Sequence, residues 1–146
     1  CHGQRVYART ANDYVGCIGT MCSFYNFEGY YEKLGIKHMK AKATNADLKN
    51  KTFEDLYNGK DEKYVNDVLN PMNEQFLSAV RSQRSKLTDL PDDTPVLRGE
   101  TFFTPQAMEI GLTDGSRTMG EAISEAVAMA NEYTDTKKMK TAIYNI

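Results

Sequence analysis

Residues 12–37 read NDYVGCIGTMCSFYNFEGYYEKLGIK, and this stretch decides the fold class. Gly16 and Gly19 punctuate a turn between two short β-prone runs, Arg5 to Ala8 (RVYA) and Ile18 to Phe24 (IGTMCSF). Phe27 to Leu34 then reads as a short helix closed by Gly35 as a left-handed cap. Ile36 to Ala43 (IKHMKAKA) alternates apolar and polar residues, as a strand with one buried face does.

Further along, Thr44 to about Thr52 has polar loop chemistry. From Asp61, Tyr64, Val65, Val68, Leu69, Met72, Phe76, Leu77 and Val80 recur at spacings of three and four, the stripe of a long amphipathic helix. Pro71 falls inside that stripe and is expected to kink or split it, because proline donates no ladder bond and crowds the preceding turn. After the linker LPDDTP (Leu90 to Pro95), Leu97 to Phe103 reads as a short edge strand. Thr104–Pro105 reads as an N-cap with proline at the first helical position, and Gly111 ends that helix. Thr118 and Glu121 form a capping box for a last helix that buries Met119, Ala122, Ile123, Ala126, Val127 and Ala130. Strands alternating with helices imply an α/β architecture. The division is residues 1–134 as the domain and 135–146 (DTKKMKTAIYNI) as a lysine-rich tail.

Composition narrows the function classes. A chain of 146 residues with 40% hydrophobic and 26% charged residues is an ordinary globular composition for one domain or part of one. A formal net charge of −2 argues against nucleic acid as an obligate partner. No run approaches the roughly 18 apolar residues of a membrane span, and no basic-then-apolar leader stands at the start. Cys1, Cys17 and Cys22 lack CxxC spacing, and His2 and His38 are the only histidines, so neither a zinc site nor a disulfide framework is expected. No metal or other cofactor is implied. The first residue is Cys1 rather than Met, which implies either processing or a start inside a larger protein.

The opening stretch resembles the segment of the signal peptide peptidase A family in which a Gly-Ser-Ile-Gly turn leads into a strand, a short helix and Lys-Leu-Gly-Ile, with Cys17 in place of the usual serine. ETFFTPQAMEIGLTDG (Glu100 to Gly115) is similar to that family's Phe-Thr-x-x-Ala…Gly-Leu-x-Asp block, and QFLSAVRSQR (Gln75 to Arg84) between them is also family-like. The resemblance covers most of the chain, in the right order. It implies a Clp protease/crotonase-like fold, layered sheet and helices, here apparently an incomplete domain: its C-terminal half. It also implies a serine–lysine peptidase acting on peptides or proteins, and homo-oligomers in rings or domes. Relatives include cell-envelope signal peptide peptidases and the capsid-maturation proteases of tailed phages, so the compartment implied is the bacterial envelope in one case and the cytoplasm or capsid in the other.

In the resemblance the general-base lysine follows the strand after Leu-Gly-Ile. The matching stretch is Lys42-Ala-Thr-Asn-Ala-Asp-Leu-Lys49-Asn-Lys51, which makes Lys49 the candidate and Lys51 the runner-up. A serine attacks poorly unless a base takes its proton, and a lysine serves as base only when burial or cationic neighbours keep its amine neutral. The bland alternative is that Lys49 is one basic side chain among 18 on a solvated loop. The nucleophile is expected on a segment upstream of residue 1, since Ser23, Ser78, Ser82, Ser85, Ser116 and Ser124 lack the small-residue elbow such a serine needs. Cys1 with its own α-amine, or Cys17 as a thiol, are alternative nucleophiles; the bland reading of Cys17 is a small buried hydrophobe. Tyr25, Tyr30 and Tyr31 beside Phe24 and Phe27 suit core packing, with a substrate groove or oligomer contact as the alternative, and His38 reads as an ordinary hydrogen-bonded residue. Two classes of function follow: a portion of a serine–lysine endopeptidase, or a non-catalytic structural or assembly component descended from one.

Overall fold

The computed structural model describes residues 3–144, with side chains through residue 137. Cys1 therefore lies outside the described residues. The chain forms two compact units, one of residues 1–17 and 79–146 and the other of residues 18–78.

The first unit holds β1 (Tyr7–Ala8), β2 (Tyr14–Gly16), β3 (Thr101–Phe103) and β4 (Gly115–Ser116). β1 runs parallel to β4 with Tyr7 opposite Gly115, and β2 runs antiparallel to β3 with Val15 opposite Phe102. These are two separate two-stranded sheets. The expected strands at Arg5 to Ala8 and Leu97 to Phe103 are thus present in shortened form. Pro95–Leu97 is instead a 3₁₀ turn that drives Val96 and Leu97 into the core with Val80, Leu87, Ala107 and Leu112.

Gly16 shows why glycine is needed there. Its φ is +135°, and a Cβ would sit 2.3 Å from the Glu100 carbonyl oxygen, so only glycine allows β2 this close to the turn before β3. Cys17 follows in a left-handed conformation, its N–H donating to Glu100 O at 2.9 Å. Its side chain is exposed as a free thiol, which corrects the reading of Cys17 as buried. The left-handed turn aims the side chain away from the core.

A helix spans Thr104–Ile110 with Pro105 in its first turn and Gly111 as a left-handed C-cap, as the sequence indicates. Thr104 does not cap it. Its hydroxyl donates to Thr10 O at 2.6 Å and ties the helix start to the β1–β2 connection. The last helix, Met119–Tyr144, opens on the expected capping box: Glu121 Oε2 accepts from Thr118 N at 2.8 Å, and Thr118 Oγ1 accepts from Glu121 N at 3.3 Å. It continues through Asp135 to Tyr144. Met119, Ile123 and Val127 are exposed rather than buried.

In the second unit the helices, numbered along the whole chain, are α1 (Glu28–Lys33), α2 (Lys51–Tyr57), α3 (Glu62–Tyr64) and the start of α4 (Asn70–Gln83); those at Thr104–Ile110 and Met119–Tyr144 are α5 and α6. Gly35 has φ +78° and donates to Glu32 O while Ile36 N donates to Tyr31 O, the C-cap read from the sequence. Ile18 to Phe24 and Ile36 to Ala43 are not strands. Alternation favours a strand only where a neighbour pairs with its backbone, and among the described residues no strand lies beside either segment.

The helical run is interrupted just before Pro71. Val65–Leu69 widens into a π turn, with Asn70 N donating to Val65 O, and regular α geometry resumes at Asn70. The wider turn accommodates a residue with no N–H to give. Leu69 O is taken by the Thr20 hydroxyl at 3.0 Å.

Candidate lysine site

The second unit carries the candidate site. Consecutive turns form the loop before α2: Ala46 N donates to Ala43 O, Lys49 N to Ala46 O and Lys51 N to Leu48 O. Asn50, in the left-handed region at φ +59°, turns the chain into α2, where Glu54 N bonds its carbonyl. Asparagine tolerates that conformation better than most residues.

The loop's lysines have different surroundings. Lys51 Nζ sits 2.5 Å from Asp55 Oδ1, an i,i+4 pair across one turn of α2. The hydrogen bond to Asp55 and its charge push the Lys51 amine above its ordinary pKa and the Asp55 carboxyl below its own. Lys42 Nζ lies 2.9 Å from Glu54 Oε2, with Lys40 at 3.9 Å from the other oxygen, and the Lys42 hydrogen bond leads the causes that lower the Glu54 pKa. Lys49, in contrast, is exposed, and among the described residues its amine has neither ion pair nor hydrogen bond.

These surroundings decide what each amine can do. A general base must shed its proton near neutral pH, and Lys51 is held in the opposite state by Asp55. Lys49 is the lysine of this loop without a carboxylate neighbour among the described residues. Its side chain is exposed, so the loop itself does not supply the desolvation that a lysine base needs. Glu54 and Asp55 were missed in the sequence reading. The Lys51–Asp55 spacing of four was the available signal.

The other candidates are not drawn to this loop. Among the described residues no serine hydroxyl is hydrogen-bonded to Lys42, Lys49 or Lys51; Ser82 donates to Ala79 O and Ser116 to Arg9 O. Cys22 is an exposed free thiol hydrogen-bonded with Tyr64, which raises the Tyr64 pKa. The aromatic segment departs from the expected core packing: Tyr25, Phe27, Tyr30 and Tyr31 are all exposed and contact one another ring to ring. Phe24 joins Phe53 and Tyr57 of α2 at 5.5 and 5.9 Å between ring centres. His38 is exposed on the wall of an open cavity of about 710 Å³ with Tyr31, Ile36, Met39 and Tyr57. Among the described residues no three His, Cys, Asp or Glu side chains cluster as metal ligands, and no helix is long and apolar enough to cross a membrane.

The chain is a mixed α/β architecture of helices and short strands. The sequence model described as Peptidase family S49 matches residues 2–132. The chain therefore belongs to peptidase family S49, the signal peptide peptidase A family, whose substrates are peptides. No curated protein matches the chain.

Proposed function

We propose that this chain is the C-terminal portion of a serine–lysine endopeptidase with a Clp/crotonase-like fold, and that Lys49 is its general base. The observation that carries the reading is the division of labour in one loop: Lys42 and Lys51 are bound to Glu54 and Asp55, and Lys49 is not. The nucleophilic serine lies outside residues 1–146 on this reading, consistent with six serines of which none meets a loop lysine. In the step proposed, neutral Lys49 takes the serine Oγ proton as the oxygen attacks the peptide carbonyl. The protonated amine then returns that proton to the departing amine, and water hydrolyses the acyl-enzyme. The segment bearing the serine also supplies the wall that desolvates Lys49.

Assembly into homo-oligomers belongs to the same proposal, supported by the exposed aromatic side chains of residues 24–31. Light scattering on a sizing column tests it, a monomer at high concentration being the refuting result. A second reading, a non-catalytic assembly component, is favoured by the exposure of Lys49 and predicts no hydrolysis by the wild-type protein.

The test of the catalytic reading is peptide hydrolysis by the protein expressed from its whole reading frame. Lys49→Ala is expected to lower kcat by about a hundredfold to ten-thousandfold with the fold intact, and Lys51→Ala to leave most activity. Full activity in Lys49→Ala overturns the assignment; loss in Lys51→Ala alone transfers it to Lys51.

A further inference from the structure

The loop that carries Lys49 has no strand to pin it, since residues 36–43 pair with no neighbouring backbone among the described residues. Its internal hydrogen bonds are single turns, and a long side chain on such a loop sweeps a wide volume. A base misplaced by about 1 Å loses on the order of a hundredfold in rate, so Lys49 needs a loop that is tied down.

Both ends of the loop meet at Glu54. At the far end the Glu54 N–H donates to the carbonyl of Asn50, the residue after Lys49, at 3.0 Å. At the near end Lys42 Nζ donates to Glu54 Oε2 at 2.9 Å, and Lys40 Nζ lies 3.9 Å from Oε1. One residue thus bonds backbone on one side of Lys49 and side chains on the other. Asn58 holds Glu54 in turn, its Nδ2 and its N–H donating to Glu54 O at 2.7 and 3.1 Å. Exposed ion pairs contribute little, because water competes for both charges. The Lys42 and Glu54 side chains are 25% and 20% exposed against 59% and 50% for Lys63 and Asp67, so water weakens the pair at Glu54 far less.

We infer that Glu54 is a positioning residue: its carboxylate clasps Lys42, closes the loop across residues 42–54 and fixes where the Lys49 amine is presented. This role rests on Lys49 being the base and adds to it the group that holds the base in place.

The test is peptide hydrolysis by the protein expressed from its whole reading frame, with amide exchange at Ala46, Lys49 and Lys51 as a readout that needs no catalysis. Lys42→Met and Glu54→Ala are each expected to lower kcat about tenfold with KM within about twofold, the fold intact by circular dichroism and the three loop amides exchanging faster. The double variant is expected to fall no further than either single one, because the two residues make one contact. Lys42→Arg, whose guanidinium still reaches the carboxylate, is expected to keep most of the wild-type kcat. The pH at which kcat/KM rises reports the base itself and is expected to stay as in wild type. A shifted pH limb shows that the pair acts on the charge of Lys49 rather than on its place, and overturns the inference. Additive losses, unchanged loop exchange or wild-type kcat in Lys42→Met do the same. With Lys49→Ala inactive and Lys42→Met fully active, the clasp fails and the base stands; full activity in Lys49→Ala removes the base and the clasp with it.

Discussion

Replacing Asp114 with asparagine probes the polar centre of the first unit. Asp114 Oδ2 accepts from Val6 N at 2.7 Å and from Arg84 Nη1 at 2.9 Å, while Asp114 N donates to Val6 O at 2.8 Å. The side chain thus fixes β1 at its start and neutralises a guanidinium that is only 8% exposed. Asparagine keeps the shape and an acceptor oxygen but removes the charge. Charge-assisted hydrogen bonds contribute about 1.5–3 kcal/mol and neutral ones about 0.5–1.5, so the loss is about 1–2 kcal/mol, with water at the 28% exposed carboxylate favouring the lower end. With a urea m-value of about 2 kcal/mol/M, the midpoint falls by about 0.5–1 M at pH 7.

The pH dependence gives a second, independent readout. Partial burial pushes the Asp114 carboxyl up, but the Val6 N–H, the Arg84 hydrogen bond and the charges of Arg84 and Arg5 outweigh it, leaving the group below its ordinary range. A folded-state pKa lower than the unfolded one stabilises the fold above the unfolded value, near pH 4, and the contribution is lost as pH falls through the folded value. Wild type and Asp114→Asn are therefore expected to converge in acid. Urea unfolding followed by far-ultraviolet circular dichroism at a series of pH values measures both. A variant within about 0.3 kcal/mol of wild type at pH 7, or a gap unchanged in acid, would falsify the account of this pair.

Three further outcomes are expected. Leu87→Ala, at a fully buried position, costs about 2–5 kcal/mol in the same unfolding assay, and a change below 1 would show that the site collapses around the smaller residue. Gly16→Ala forces a Cβ against the Glu100 carbonyl and destabilises by at least about 2 kcal/mol; a well-folded variant of unchanged melting temperature counts against the close approach of β2 to that turn. Thr118→Ala removes the hydroxyl that accepts from Glu121 N, leaving only the backbone half of the capping box, and costs about 1 kcal/mol, read as faster amide exchange in the first turn of α6 if the capping account is right.

Local signals carried part of the fold. The Thr118/Glu121 capping box, the left-handed caps at Gly35 and Gly111, and Pro105 in the first turn of α5 are each set by neighbouring backbone, so spacing alone located them. The same locality makes the family recognisable, because its blocks are turn and cap chemistry. Whether Ile18 to Phe24 and Ile36 to Ala43 become strands depends on a partner from elsewhere in the chain, which alternation cannot supply. Burial failed for the same reason: Tyr30, Ile123 and Val127 are apolar at helical spacing yet exposed, since spacing defines a face but not what covers it.

By itself the sequence determined the family, the helices Glu28–Lys33 and Thr104–Ile110 with their closing glycines, and the loop from Lys42 to Lys51 as the place to seek a base. Lys51 and Asp55 are a local pair four residues apart, but only the tertiary structure brings Glu54 to Lys42, twelve residues earlier in the chain, and leaves Lys49 without a carboxylate among the described residues. It likewise decided that Arg84, which the sequence offers as one more helix arginine, is a buried cation answered by Asp114, 30 residues away. An ion pair is a matter of a few ångströms between side chains, and that distance is fixed by the fold rather than by position along the chain.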